Sequence, residues 1–234
     1  MLSEKVEEYL GVIYRLELEG KRPRTTEIAK MLGVSPSSVT AMLQRLASEG
    51  LVEYESYKGV KLTEKGKKAA ARVLRRHRLA ERLLTDILGV SLEDSHEEAC
   101  RLEHVISLSL ERKIADKLGN PDTCPHGNPI PTEDGEVAIP DDLSLSEIEP
   151  PAKVVVTRLT DENKPLLSRL VSLGILPGEE IQVKARAFKG APVIVSVRGS
   201  EIALGNDVAS KIRVAPPHRR RYRRRRGWRG GCLD

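Results

Sequence analysis

The sequence predicts a mainly α-helical chain with a small β domain near its C-terminus. Three patterns predict it. Apolar positions recur at helical spacing through most of residues 1–118, a Pro/Gly/Asp-rich break covers 119–150, and apolar residues alternate from Lys153 to Val214. The 234 residues leave room for two or three small domains, and 39% hydrophobic against 31% charged residues permits ordinary cores. With aromatic residues at only 3%, those cores are built from Leu, Ile, Val and Ala.

The first helix is predicted over 3–19, where Val6, Leu10, Ile13 and Leu16 share a face. TTEIAKMLGV opens on Thr25 and Thr26 and closes at Gly33, a short helix. SPSSVTAMLQRLASEGL follows, with Ser35 as N-cap, Pro36 in the first turn and Gly50 at the C-cap. Two short helices across a glycine turn form a helix-turn-helix. LVEYESYKGVKLTEKG then reads as a hairpin wing turning at Gly59. Thr63 caps a long helix through about Leu88 that tolerates Gly66, and a second long helix runs from about Glu93 to Leu118. Residues 119–150 read as an extended linker with little regular structure. KVVVTRL, EEIQVKARAF, PVIVSVRG, SEIALG and SKIRV read as strands of a small β-barrel, interrupted by a helix at about Lys164–Leu173. Beyond Pro217 the chain is arginine-rich and of low complexity. It is expected to be disordered, either as a solvated tail or as a non-specific nucleic-acid clamp.

Charge is unevenly placed. Residues 1–76 carry 15 Lys/Arg against 10 Asp/Glu, residues 77–214 carry 16 against 23, and residues 215–234 carry 8 against 1. A positive first segment suits a polyanion such as DNA, and a negative middle suits cations. No apolar run is long enough to span a membrane, and MLSEKVEEYL lacks a signal-peptide block. Three cysteines at irregular spacing make no disulfide framework. The expected setting is the cytoplasm, without a membrane partner.

In a helix-turn-helix the second helix enters the major groove with its N-terminal residues on base edges. Here those residues are Ser35, Pro36, Ser37, Ser38 and Thr40, with Gln44 and Arg45 one or two turns on. Thr26 on the preceding helix, and Lys58 and Lys61 on the wing, complete the candidate DNA contacts. Ala41 stands where a long polar side chain would read a base, so specificity is expected to draw on thymine methyls and DNA shape. The plainer alternative is that the hydroxyls only cap a structural helix.

The densest chemistry lies in HRLAERLL and HEEACRLEH. His96, Cys100, Glu103 and His104 stand at offsets of zero, four, seven and eight, and so fall on one helix face. His77 and Glu81 share a face one turn apart. Each residue alone reads as readily as a satisfied core group. Together, carboxylate, imidazole and thiolate suit a first-row divalent ion: Fe(II), Mn(II), Co(II), Ni(II) or Zn(II).

HRLAERLLTDILGVSLEDSHEEACRLEH, followed by CPHGNPIP, resembles the diphtheria toxin repressor family of iron- and manganese-dependent regulators. VSPSSVTAMLQRL and KGVKLTEKGKKAA resemble its manganese-responsive branch. LLSRLVSLGILPGEEIQV resembles the SH3-like barrel of those regulators and of ferrous iron transport protein A. The resemblance implies a winged helix-turn-helix over 1–73, a helical metal-binding and dimerisation domain over 74–140, a linker over 141–151, an SH3-like barrel over 152–214 and a tail over 215–234. It implies His77, Glu81 and His96 as an ancillary site, and Cys100, Glu103 and His104 as a primary site completed by Glu8 of the first helix. Iron sensors carry Met at that last position and manganese sensors an acid, while manganese sensors also replace the cysteine, so the chain is a hybrid. Another branch builds its second site from a CPH motif, which implies Cys124 and His126 with Glu81 and an acid from the barrel, Asp161 or Glu162. The third residue beyond Glu162 is Pro165, which has no ligand atom. Arg78 and Asn128 match positions that help hold the ancillary site in some members.

The function implied is a repressor that binds operator DNA as a homodimer, with two dimers on one operator as the larger assembly. It would carry Fe(II) or Mn(II) at two sites per chain, with Co(II), Ni(II) or Zn(II) as surrogates, and control metal-homeostasis genes. Leu102, Val105, Ile106, Leu110 and Ile114 are expected in core and dimer packing. The alternatives are a metal-independent winged-helix regulator of a small organic ligand, and a metallohydrolase. The hydrolase is disfavoured by the absence of a phosphate loop, nucleophile elbow or HExxH motif.

Overall fold

A computed structural model describes residues 2–18, 20, 23–55, 58–161 and 163–217. Glu162, proposed above as a ligand, and the arginine-rich tail from 218 lie outside the described residues.

The chain begins with α1 (Glu4–Leu18), α2 (Thr25–Leu32) and α3 (Pro36–Ser48). α2 stops at Gly33, whose φ of 65° is left-handed, and Val34 N–H closes the turn onto Ala29 O. Ser35 caps α3 by accepting from Ser38 N at 3.2 Å, and Pro36 occupies the first turn. β1 (Val52–Glu55) and β2 (Gly59–Leu62) pair antiparallel as the wing. α4 (Glu64–Arg82) is capped by Thr63, which accepts from Gly66 N and donates to Gly50 O. A Cβ on Gly66 would lie 2.0 Å from Leu51 O. Gly66 is therefore required where α4 crosses the backbone, not merely tolerated. Leu10, Ile13, Ile28, Leu43, Leu46 and Leu62 bury one core beneath this winged helix-turn-helix.

The long helix expected to reach Leu88 leaves α geometry at Arg82. Leu83–Ile87 form a π-turn in which Leu88 N bonds Leu83 O, and the hydroxyl of Thr85 donates to Glu81 O. The helix expected over Glu93–Leu118 is two helices, α5 (Leu92–Leu102) and α6 (Leu108–Lys117). Ser107 breaks it by capping α6, accepting from Leu110 N at 3.2 Å. Ile106 and Ile114 are buried with Leu79, Leu84 and Ala99, Leu102 packs partly buried against them, and Val105 and Leu110 are exposed beside Ile87, Leu88 and Leu108 among the exposed apolar residues.

The segment 119–150 is also more ordered than expected. Thr123 and Pro129 form a bridge around a turn in which Cys124 N bonds Asn128 O. Leu143–Ser144 form β3, paired with the last strand, and Leu145 is fully buried in the C-terminal core. Within the segment expected as a linker, 141–151, Leu143 and Ser144 thus belong to the C-terminal sheet. It adds β4 (Ala152–Leu159), α7 (Lys164–Ser172), β5 (Glu180–Arg186), β6 (Val193–Val197), β7 (Ser200–Leu204), α8 (Asn206–Ala209) and β8 (Ile212–Ala215). The sheet order is β3-β8-β4-β5-β6-β7, antiparallel throughout, with register shifts in β4 and β5 that bend the strands in the manner of an SH3-like barrel. Among the described residues no helix is long and apolar enough to cross a membrane.

Candidate metal centre and DNA-reading surface

α4 and α5 pack side by side and point their donors at each other. His77 and Glu81 on α4 are fully buried. His77 Nδ1 lies 2.6 Å from Glu103 Oε2, and its Nε2 lies 3.1 Å from both Glu81 Oε1 and His96 Nδ1. His96 Nε2 in turn stands 3.7 Å from Cys100 Sγ. His77, His96 and Cys100 thus form one compact group with ligand atoms within 4.8 Å of one another.

Cys124 and His126 come to the same place from the other side. Glu81 Oε1 is 3.3 Å from His126 Nδ1, and Glu81, Cys124 and His126 form a second, wholly buried group. The loop is drawn over α4 by three arginines one turn apart. Arg75 donates to Pro131 O at 2.7 Å, Arg78 to Pro129 O, and Arg82 to Thr123 O at 2.7 Å. His126 Nε2 hydrogen-bonds Leu92 O at 3.2 Å, which turns Nδ1 toward Glu81 and Cys124. Asn128 donates to Leu159 O, and Leu159 N donates to His126 O, so the loop is also stitched to β4. Gly127 permits that approach: at φ 85°, a Cβ there would lie 2.1 Å from Thr157 O.

A third group sits where α1 meets the end of α5. Glu4, Glu8 and His104 bring ligand atoms within 4.8 Å, with both carboxylates exposed. Glu7, one residue from Glu8, is the buried acid: its Oε2 lies 2.8 Å from His104 Nδ1 and its Oε1 accepts from Arg76 at 3.0 Å. Glu103 joins the outer and inner groups, reaching His77 with one oxygen and His104 Nε2 with the other at 3.3 Å.

The structure therefore gathers His77, Glu81, His96, Cys100, Glu103, Cys124 and His126 into one region and places Glu8 with His104 at its edge. Cys100 falls with His77 and His96 and not with Glu103 and His104, while Glu81 falls with Cys124 and His126, the grouping of the alternative second site given above. Asp161 stands elsewhere, capping Asn163 N at 3.0 Å and facing Lys211 at 3.7 Å. Lys164 in the same stretch pairs with Asp94 of α5 at 2.5 Å, a direct link between α7 and α5. Glu4 and Glu7 were missed as contributors. Their spacing on the α1 face that carries Glu8 was the available signal.

The inner groups are tuned to be charged. Burial alone would push His77 down, but Glu81, Cys100 and Glu103 hold it well above the ordinary imidazole range. Burial would raise Glu81, and His77, His126 and His96 hold it well below the usual carboxylate range. Burial likewise opposes ionisation of Cys100, yet His77 and His96 bring its thiol down to about 6. Glu81 Oε2 is buried without a hydrogen-bond partner among the described residues. An orphaned carboxylate oxygen beside three imidazoles and two sulfurs fits a divalent cation of borderline softness.

The reading head presents Ser35, Pro36, Ser37 and Ser38 exposed at the N-terminus of α3, with Ser35 Oγ 2.9 and 2.8 Å from the hydroxyls of Ser37 and Ser38. Thr26, Gln44 and Lys61 are exposed, while Arg45 is held by Glu49 at 2.8 Å and Lys58 by Glu55 at 2.7 Å. Thr40 is partly buried and donates its hydroxyl to Pro36 O.

Residues 1–60 match the family described as iron dependent repressor, N-terminal DNA binding domain. Residues 63–132 match iron dependent repressor, metal binding and dimerisation domain. The chain belongs to the iron-dependent repressor family. Residues 143–216 match the FeoA domain, whose start coincides with β3. Within the family, the chain is 37% identical to the iron-dependent repressor IdeR of Mycobacterium tuberculosis, over 91% of this chain and 97% of that one. It is 33% identical to the diphtheria toxin repressor of Corynebacterium diphtheriae, again over 91% and 97%. Among solved structures, a manganese-dependent transcriptional repressor in complex with manganese superposes with a TM-score of 0.82 at 35% identity, covering 90% of this chain and 99% of that one. IdeR of T. acidophilum superposes at 0.79 with 31% identity, covering 92% and 99%. The family is one of transcriptional repressors, so the hydrolase alternative falls.

Proposed function

We propose that this chain is a metal-dependent transcriptional repressor that binds operator DNA as a homodimer and controls metal-homeostasis genes in the cytoplasm. Fe(II) or Mn(II) is the effector, with Co(II), Ni(II) and Zn(II) as surrogates. One observation carries the reading: the acids of α1, a helix packed into the reading head, converge with His104 at the edge of a buried imidazole, thiolate and carboxylate cluster. We assign two ions per chain. One belongs to the inner region of His77, Glu81, His96 and Cys100, with Cys124 and His126 as donors from the loop. The other belongs to the edge, with Glu8, His104 and Glu103.

A bound divalent ion would supply the positive charge that lets these carboxylates stand together. The residues do the rest. Without that charge, Glu4 and Glu8 repel each other beside His104, and α1 is held to α5 chiefly by the bonds of Glu7 to His104 and Arg76. With it, α1 is held and the reading head keeps one position relative to the dimer, so the effector shifts a population by differential binding. Ile87, Leu88, Val105 and Leu108 of the dimerisation domain are exposed and are the apolar side chains that a second copy would cover. A palindromic operator would present two half-sites to that dimer, and occupancy by two dimers is counted by sedimentation.

The test selects a duplex from random DNA with Mn(II)-loaded protein. Its affinity is then measured anaerobically with Fe(II), Mn(II), Zn(II) and chelator. Binding that collapses on chelation and returns with metal supports the reading. Equal binding in every arm overturns it, and favours a regulator of some other ligand.

A further inference from the structure

The wing is held by α1 as well as by its own hairpin. In the β1–β2 ladder, Val52 pairs with Leu62 and Tyr54 with Val60, which leaves the N–H groups of Val60 and Leu62 on the outer edge of β2. An edge strand needs acceptors for such donors. Val60 N bonds Pro23 O at 3.0 Å. Leu62 N donates to the carboxylate of Glu17 at 2.7 Å, a partly buried, charge-assisted bond spanning 45 positions of sequence. Glu17 lies in the last turn of α1, and Glu4, Glu7 and Glu8 lie in its first turns. The two ends of one helix thus touch the two parts whose states must be linked. Between Glu7 and Glu17 the helix rises about 15 Å with its apolar face buried in the core, a length over which a packed helix moves as a unit.

We propose that Glu17 is a positioning residue of the DNA switch: through its bond to Leu62 N, α1 carries the state of the His104 end to the wing that bears Lys58 and Lys61. This rests on the metal-dependent repressor reading above. Leu62 is the last residue of β2 and Thr63 caps α4, so the bond lies at the root of the wing, where a small rotation moves its tip most. In the metal-free chain α1 pulls away from α5 and takes the wing root with it. In the loaded chain both ends are fixed.

The quantity that tests this is the coupling ratio, the DNA dissociation constant with chelator divided by that with Mn(II), on the duplex selected above. Glu17→Ala is expected to cut the ratio by about tenfold or more while leaving Mn(II) affinity measured without DNA within about twofold. Glu17→Gln keeps an acceptor oxygen and is expected to restore most of the ratio. Glu17→Asp keeps the charge but draws it back by a methylene, and is expected to behave like Glu17→Ala; it decides the matter if Glu17→Ala fails to fold. Slowed hydrogen exchange of the Leu62 amide on adding Mn(II), seen in the wild type and lost in Glu17→Asp, is the direct readout. An unchanged ratio in both variants overturns the proposal. So does an equal loss of affinity with and without Mn(II), because that marks a static brace. A ratio near one in the wild type overturns the repressor reading itself, and is told apart by being present before any substitution.

Discussion

His104 Nδ1 lies 2.8 Å from Oε2 of Glu7, joining the first helix to the end of α5. The other oxygen of Glu7 takes Arg76, so one buried carboxylate serves two partners. Glu7→Ala strands both, and is expected to lower stability by about 1–3 kcal/mol, read from urea unfolding of the metal-free protein. Exchange of α1 amides should rise at the same time. A loss confined to metal binding, with stability intact, would show that Glu7 is a ligand and not a brace.

The Cys100 thiol titrates at about 6 because His77 and His96 outweigh its burial. Alkylation of Cys100 by iodoacetamide in the metal-free protein, followed on the peptide that carries it, should therefore rise through about pH 6 and level off above it, whereas an ordinary thiol keeps rising toward 9. His96→Ala removes one of the two groups that stabilise the thiolate and should move the midpoint upward. A wild-type midpoint near 9 would sink this account.

In the edge site proposed above, Glu8 offers a hard carboxylate beside His104. Glu8→Met should weaken the Mn(II)-dependent DNA response by about tenfold while the Fe(II) response is kept or strengthened, as ligand softness requires. Anaerobic titration of both metals against the same duplex gives the ratio. Parallel changes for both metals would mean that Glu8 does not set the choice.

The reading head was legible because its signals are local. Gly33, Ser35, Pro36 and Thr63 each satisfy or release a particular backbone group, and no distant residue is needed to see it. The break at Ser107 was hidden because apolar periodicity runs on through Ile106 and Ile114, and a serine cap leaves no mark in such a pattern. β3 was hidden because two residues are too short to show alternation. The donors were legible as residue types, and Glu81 with Cys124 and His126 was one of two alternatives, but the meeting of Cys100 with His77 and His96 was not legible. The loop that brings Cys124 and His126 to Glu81 is held by Arg75, Arg78 and Arg82 through main-chain oxygens, and a main-chain acceptor leaves no mark in the sequence.

Gly127 sits at φ 85° with Thr157 O where its Cβ would go. Gly127→Ala should cost about 2 kcal/mol or more, from the backbone conformation and the clash together. Thermal melts with proteolysis of the 132–142 segment check it. An unperturbed variant would mean that β4 and the loop separate freely.

Asp142 is buried and accepts from Arg158, Thr157 and Arg213. Burial raises its carboxyl, but those three donors together hold it below the ordinary 3.8. The contribution is complete above that value and disappears as pH falls through the lowered one. Asp142→Asn should destabilise the C-terminal domain by about 3 kcal/mol at neutral pH and flatten its acid unfolding. Retention of the wild-type acid transition in that variant would assign the transition to another group.

The three arginines of α4 grip main-chain oxygens, which every residue possesses. What the loop displays is thereby separated from how the loop is held. None of those three bonds uses the side chain of Cys124 or His126, whereas the loop's approach to β4 depends on Gly127 itself. Under the assignment proposed above, exchanging the donors on this loop changes the ion preferred while Arg75, Arg78 and Arg82 keep its main chain in place.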